Sequence, residues 1–200
     1  MENGYVPLNF PLNWPRRLIA SLNWSDDQAR QIAGTLTAEA LNWKPAPSSW
    51  SVGQCLHHLY VANQVYVPPM ARALDGRQPA PVDEITPGWF GRWFIRSYIE
   101  PSSRSRRSRA PRKIAPAPLV DTSIVDLFVR SNDTARDLVQ RASAHDVNRI
   151  RFVNPFVPLV RFTVGTGLEI ICRHQRRHLL QADAIKQQLL KTGPVHRRTV

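Results

Sequence analysis

His174 and His178 stand four residues apart in the run HQRRHLLQ that ends at Gln181. On a helix this spacing projects both imidazoles from one face, within reach of a common ion. Two histidines on a basic helix are also an ordinary solvated surface, so the pair gains meaning only with a third nitrogen from another element. Three protein ligands plus one open position are the usual arrangement of a catalytic zinc. His57 and His58, far earlier in the chain, are candidates for the third. They point about 100° apart on a helix, and periodicity alone does not choose between them. The residue after His174 is Gln175. In the H-E-x-x-H proteases a glutamate there is the general base, a role an amide cannot fill.

Other residues near these histidines have two readings. Cys55, three before His58, shares its helical face and is either a pocket thiol or, more ordinarily, a small packing hydrophobe. Gln181, nearly one turn past His178, either hydrogen-bonds a ligand ring from behind or sits on the helix surface. Cys172 should face elsewhere, and His145 and His196 read as solvated loop residues.

The elements that must position these groups follow from the 17 prolines, because an interior proline costs a helix about 3 kcal/mol. Proline-free windows cover 16–44, 48–67, 119–154 and 159–193. Each holds a Ser or Thr followed three residues later by a side chain able to reach back to the cap: Ser25 with Gln28, Ser51 with Gln54, Ser123 with Asp126, Thr166 with Glu169. The pattern predicts four bundle helices over 25–41, 51–75, 123–143 and 166–191, with Pro68-Pro69 kinking or dividing the second. Trp50, before the Ser51 cap, is placed to staple the helix entry against Cys55. Gly76 suits a left-handed cap, and Gly193-Pro194 closes the fourth helix.

The 76–122 connection is longer than a helical hairpin needs, so the second and third helices should not be immediate antiparallel neighbours; it reads as a long crossover. Within it Trp89, Phe90, Trp93, Phe94 and Tyr98 have helical spacing, with Arg92 and Arg96 between, and predict a short amphipathic helix laid on the bundle. The apolar stretch 144–165, rich in Phe, Val and Pro, reads as extended. The organisation expected is an N-terminal segment (1–24) packing on the bundle, a bundle over 25–193 and a tail over 194–200.

A chain of 200 residues can bury a core without disulfides, and two cysteines cannot staple a secreted scaffold. The opening residues lack a basic flank and apolar run, and no apolar stretch has membrane-spanning length, so a reducing cytoplasm is the expected location. The net charge of +12 is local: residues 102–113 carry six cations and no acid, and residues 173–198 carry seven against one. Arg104, Arg106, Arg107, Arg109, Arg112 and Lys113 read first as a solvated loop, then as a lid over an anionic substrate, and last as a nucleic-acid or membrane contact. Serine-triad and nucleotide-binding glycine motifs are absent.

The run from Leu41 through Trp50, Ser51 and His58-Leu59, followed by the late H-x-x-x-H of His174 and His178, resembles the DinB/YfiT-like family of metalloenzymes. That family shares a tryptophan-serine helix start, a His-Leu pair and a late H-x-x-x-H. The resemblance implies an all-α, four-helix bundle with a long crossover between helices 2 and 3. It places the metal ligands on His58, His174 and His178, leaving His57 as a neighbour. Zinc or nickel would be the leading ions, with iron and manganese also compatible. Characterised members include thiol S-transferases and a thiol-dependent isomerase. A transferase or hydrolase acting on a small molecule, with a low-molecular-weight thiol as co-substrate, is therefore the implied activity, and a homodimer the implied assembly. A non-catalytic bundle binding nucleic acid or another anionic partner through its Arg-rich crossover is the alternative.

Overall fold

The computed structural model describes residues 13–100, 111–156 and 159–192. Six α-helices follow one another: α1 (Trp14–Ala33), α2 (Ala38–Asn42), α3 (Val52–Ala73), α4 (Trp89–Phe94), α5 (Ile124–Ala142) and α6 (Val164–Thr192). Between α5 and α6, β1 (Arg151–Val153) and β2 (Arg161–Thr163) form a small antiparallel hairpin in which Phe152 faces Phe162. The fold is mostly helical, as expected, and α1, α3, α5 and α6 are the bundle.

Helix directions follow from which residues meet. Along α3, Gln54 bonds Ala117 O just before α5, Asn63 bonds Ser131 and Asn132, and Asp75 pairs with Arg141. The two numberings rise together, so α3 and α5 are parallel neighbours. A chain leaving α3 must then travel back the length of 22 residues, about 33 Å, before α5 can begin. That return is the reason for the long crossover. α6 runs against α3, since His58 meets His174 while Met70 meets Gly167. It runs with α1, since Arg17 pairs with Glu169 and Lys186 with Gln31 O. Gly167 is where α6 comes closest: a β-carbon there would lie 2.8 Å from the Phe152 ring.

Two apolar clusters fill the bundle. One holds Leu18, Leu22, Met70, Leu138, Leu168 and Ile171, and the other Ile32, Leu56, Leu59, Phe128, Leu179 and Ile185. On every bundle helix a polar residue falls between them: Asp26 on α1, Asn63 on α3, Asn132 on α5 and Gln175 on α6, all buried. Asn132 Oδ1 accepts from Asn63 Nδ2 at 2.8 Å and from Gln175 Nε2 at 2.7 Å, while its Nδ2 donates to Asp26 at 2.6 Å. Arg136 pairs with the other oxygen of Asp26 at 2.8 Å.

Several helix boundaries differ from the sequence expectation. The first helix starts at Trp14, not Ser25, and ends at Ala33, with α2 capped separately by Thr37. Asn13 caps it with Pro15 in the first turn, where a missing N–H costs nothing; treating Pro15 as a break had put the start too late. Ser25 is buried inside the helix, its hydroxyl donating to Ser21 O at 3.0 Å. Residues 14–24, expected in a separate packing segment, are therefore helical. Ser51 does form the expected capping box with Gln54.

Pro68-Pro69 does not divide α3. Pro68 and Gln64, whose carbonyl loses a partner there, are both exposed, so water can satisfy it. Ser123 caps nothing; Asp121 Oδ1 takes the Ser123 N–H at 2.9 Å. Thr166 is inside α6, its N–H held by Thr163 Oγ1 at 3.2 Å. The extended stretch forms the β hairpin, which the sequence reading did not resolve. α4 matches the predicted aromatic helix and continues as a π-helical turn over Ile95–Ile99. Residues 1–12, the cluster Arg104, Arg106, Arg107 and Arg109, the pair at 157–158, the Gly193-Pro194 stop, His196 and the 194–200 tail lie outside the described residues.

Candidate metal centre

The capping box at Ser51 fixes where α3 begins and so which side chains face inward two turns later. His58 is buried at 2 % exposure and points toward α6, whose i, i+4 pair His174 and His178 faces it. One nitrogen from each of the three rings lies within 4.8 Å of the others, and His58 Nε2 is 3.0 Å from His174 Nε2. Two nitrogens bound to one ion at about 2.0–2.1 Å sit about 2.9 to 3.4 Å apart for angles between octahedral and tetrahedral, so the observed separation suits a shared ion.

Hydrogen bonds behind the rings set which nitrogen is available. His58 Nδ1–H donates to the carbonyl of Ile114 at 2.6 Å, and His178 Nδ1–H donates to Gln181 Oε1 at 2.9 Å. Each leaves its Nε2 with a lone pair, the form a metal requires. Burial is the main cause that lowers all three imidazoles. His58 falls to about 4, with the positive charges of Arg177 and His57 assisting against the Ile114 bond. His178 falls to about 3, with His58 and Arg177 assisting. His174 falls well below the ordinary value, with His178, His58 and Arg177 assisting. The rings are therefore neutral around neutral pH. Three neutral imidazoles, two of them held by oxygen acceptors, are a donor set that fits a divalent cation and leaves coordination positions for an exogenous ligand.

A match to the DinB superfamily covers residues 21–182. The chain belongs to the DinB superfamily. Comparison with curated proteins and with solved structures gave no match. The three-histidine cluster accords with a metal-binding protein of the DinB superfamily.

The remaining candidates fall as follows. His57, beside His58, turns away and accepts from the Ala117 N–H at 3.3 Å. Gln181 is exposed yet bonded to His178. Cys55 is wholly buried in the second apolar cluster, where burial pushes its thiol far up, so it packs as a hydrophobe. Cys172 is buried in the other cluster, close to Leu18 O. His145 is buried rather than solvated, its ring against Gln78 O at 3.2 Å.

Three contributors to the site were missed in the sequence. Trp50, expected to lie on Cys55, stacks on His178 with centroids 5.4 Å apart and tilts over His58 at 4.9 Å, forming one wall. The aromatic before the cap was the signal: it does pack against the apolar cluster that holds Cys55, and its stacking on the two histidines is what the sequence did not announce. Ile114 contributes only a backbone carbonyl, brought in by the returning crossover, and no side-chain pattern announces that. Arg177 stands inside the H-x-x-x-H run itself and was counted only as part of a basic helix.

Proposed function

We propose that this member of the DinB superfamily is a divalent-metal-dependent enzyme in which His58, His174 and His178 hold the ion. The convergence of the three ring nitrogens, two of them with their other nitrogen committed to an oxygen acceptor, is the observation that carries this reading. The donor set suits zinc or nickel, with iron and manganese also compatible. Such an ion supplies a lowered pKa to a coordinated water or thiol, making hydroxide or thiolate available near neutral pH.

The chain's own residues do the rest. Ile114 O and Gln181 hold two rings in the binding tautomer. Trp50 excludes water from the face of His58 and His178, and the half-buried His174 marks the side from which a substrate enters. The reaction proposed is a transfer or hydrolysis on a small molecule with a low-molecular-weight thiol or water as nucleophile. Both described cysteines are free and buried, so the nucleophile is not one of them, and their unbridged state accords with a reducing cytoplasm. Among the described residues no helix is long and apolar enough to cross a membrane.

Elemental analysis of protein purified without chelator or a nickel column tests the reading. Near-stoichiometric divalent metal is expected. His174→Ala should weaken retention by a hundredfold or more, roughly one ligand's share of a metal-binding free energy of about 10–16 kcal/mol. Metal affinity unchanged in that variant, or salt-dependent nucleic-acid binding with no metal in the protein, overturns it.

A further inference from the structure

Arginines cross-brace this bundle, and the described ones near its core are nearly all compensated. Arg173 on α6 bonds Glu169 at 3.1 Å and also pairs with Glu100. Arg17 shares Glu169 from α1, and Arg136 has both Asp26 and Asp133 at 2.8 Å. Arg177, one turn beyond Arg173, differs. It is half-buried, it donates to the backbone carbonyl of Tyr98 at 2.7 Å, and among the described residues no carboxylate pairs with it.

Its position makes that imbalance informative. At about 100° per residue, His174 lies between Arg177 and His178 on the α6 wheel. Trp50 covers the His178 side, and Arg177 leaves on the opposite side of His174, beside the π-helical turn that contains Tyr98. Its charge reaches all three imidazoles. A guanidinium has five N–H donors, and one bond to a carbonyl fixes its plane while leaving others to meet an oxyanion. An uncompensated cation beside a site that would hold a second cation weakens metal binding unless something negative arrives with the substrate.

We infer that Arg177 is a substrate-binding residue of the three-histidine site, and that the substrate carries a carboxylate which this guanidinium takes in a forked, two-bond contact. The inference rests on the metal-site reading above and adds the charge class of the ligand. It also gives the π-helical turn a role: Tyr98 O holds the guanidinium in place.

Cobalt-loaded protein gives a test that needs no known reaction. The probes are 3-mercaptopropionate and its neutral amide, 3-mercaptopropionamide, each titrated by the thiolate-to-cobalt absorption band. Wild type should bind the acid about tenfold or more tighter than the amide, the scale of a charge-assisted contact. Arg177→Gln should reduce this preference to about twofold or less, the ratio cancelling whatever the lost charge does to the thiolate that both probes share. Arg177→Lys, which keeps the charge but not the fork, should fall between. An equal preference in wild type and Arg177→Gln overturns the assignment, provided both show the same cobalt d–d bands. No cobalt bands in wild type would instead overturn the metal reading and this inference with it.

Discussion

Two polar layers cross this bundle about a turn apart, one drawing on all four bundle helices and the other on α3 and α6 alone, and they solve opposite problems. In the amide layer, Asn63, Asn132 and Gln175 bond to one another and to Asp26, so donors meet acceptors inside the protein. Gln175 Oε1 is the one buried side-chain atom there without a partner among the described residues. In the histidine layer, His58 and His178 spend their N–H groups outward, on Ile114 O and Gln181, and turn lone pairs toward a common centre. A closed layer specifies register, because a shifted helix would leave a buried amide unpaired. An inward-facing set of lone pairs gains from a cation. Gln175 sits next to His174 in sequence yet belongs to the other layer, which explains structurally why the H-Q-x-x-H run offers no base to the histidine cluster.

The comparison breaks most sharply with pH. Amides do not titrate, whereas folding lowers His58 from 6.5 to about 4 and His178 to about 3, with His174 lowered as well. Below pH 6.5 the unfolded chain therefore binds protons that the folded, metal-free chain refuses. Stability rises with pH across this window and is lost as pH falls from about 6.5 toward 4. Urea midpoints of chelator-treated protein at pH 7.5, 6 and 5 should fall steadily, and His58→Gln should flatten the profile. A wild-type midpoint that does not move would show that the rings are not held neutral by burial.

Asn132→Leu attacks the other layer. It removes the acceptor shared by Asn63 and Gln175 and one partner of the buried Asp26 carboxylate, at a cost of about 2–4 kcal/mol. Metal bound per folded protein should stay the same. If metal retention fell in step with stability, the two layers would be one unit rather than two.

The sequence disclosed these layers unequally. The capping box at Ser51 is local, four residues from Ser51 to Gln54, and it fixed the phase of α3 and hence the side on which His58 could lie. The number of bundle helices and the crossover followed from proline spacing and loop length, because a parallel return needs chain whatever its composition. The start of α1 was misread because Pro15 serves equally as a helix opener and a helix breaker, and only tertiary burial of Trp14 and Leu18 decides. The choice of His58 over His57 came from family resemblance, not from periodicity. Trp50 and Ile114 were not legible as site residues, since both act across the fold: the His58–Ile114 bond spans 56 residues and uses no side chain from the second partner. Arg177 lies within the histidine run itself, but among the other cations of a basic helix nothing local marks it out. The amide layer was equally hidden, because its members sit singly on four helices as unremarkable polar residues.

The smallest expected effect probes how much the outward bonds matter to the inward lone pairs. Gln181 is exposed, so Gln181→Leu removes little packing, and among the described residues its side chain bonds to His178 Nδ1. Without that acceptor the His178 proton is free to move to Nε2, the atom that would face the ion. Metal affinity should drop by about tenfold, the lower end of what loss of a ligand's hydrogen-bond partner costs, with thermal stability of the metal-free protein nearly unchanged. Gln181→Glu, which keeps an acceptor in place, should retain or strengthen binding. The contrast between these two variants separates tautomer control from bulk: a tenfold loss in both would mean that Gln181 acts by filling space, whereas a loss confined to leucine ties the ligand set to the hydrogen bond behind it.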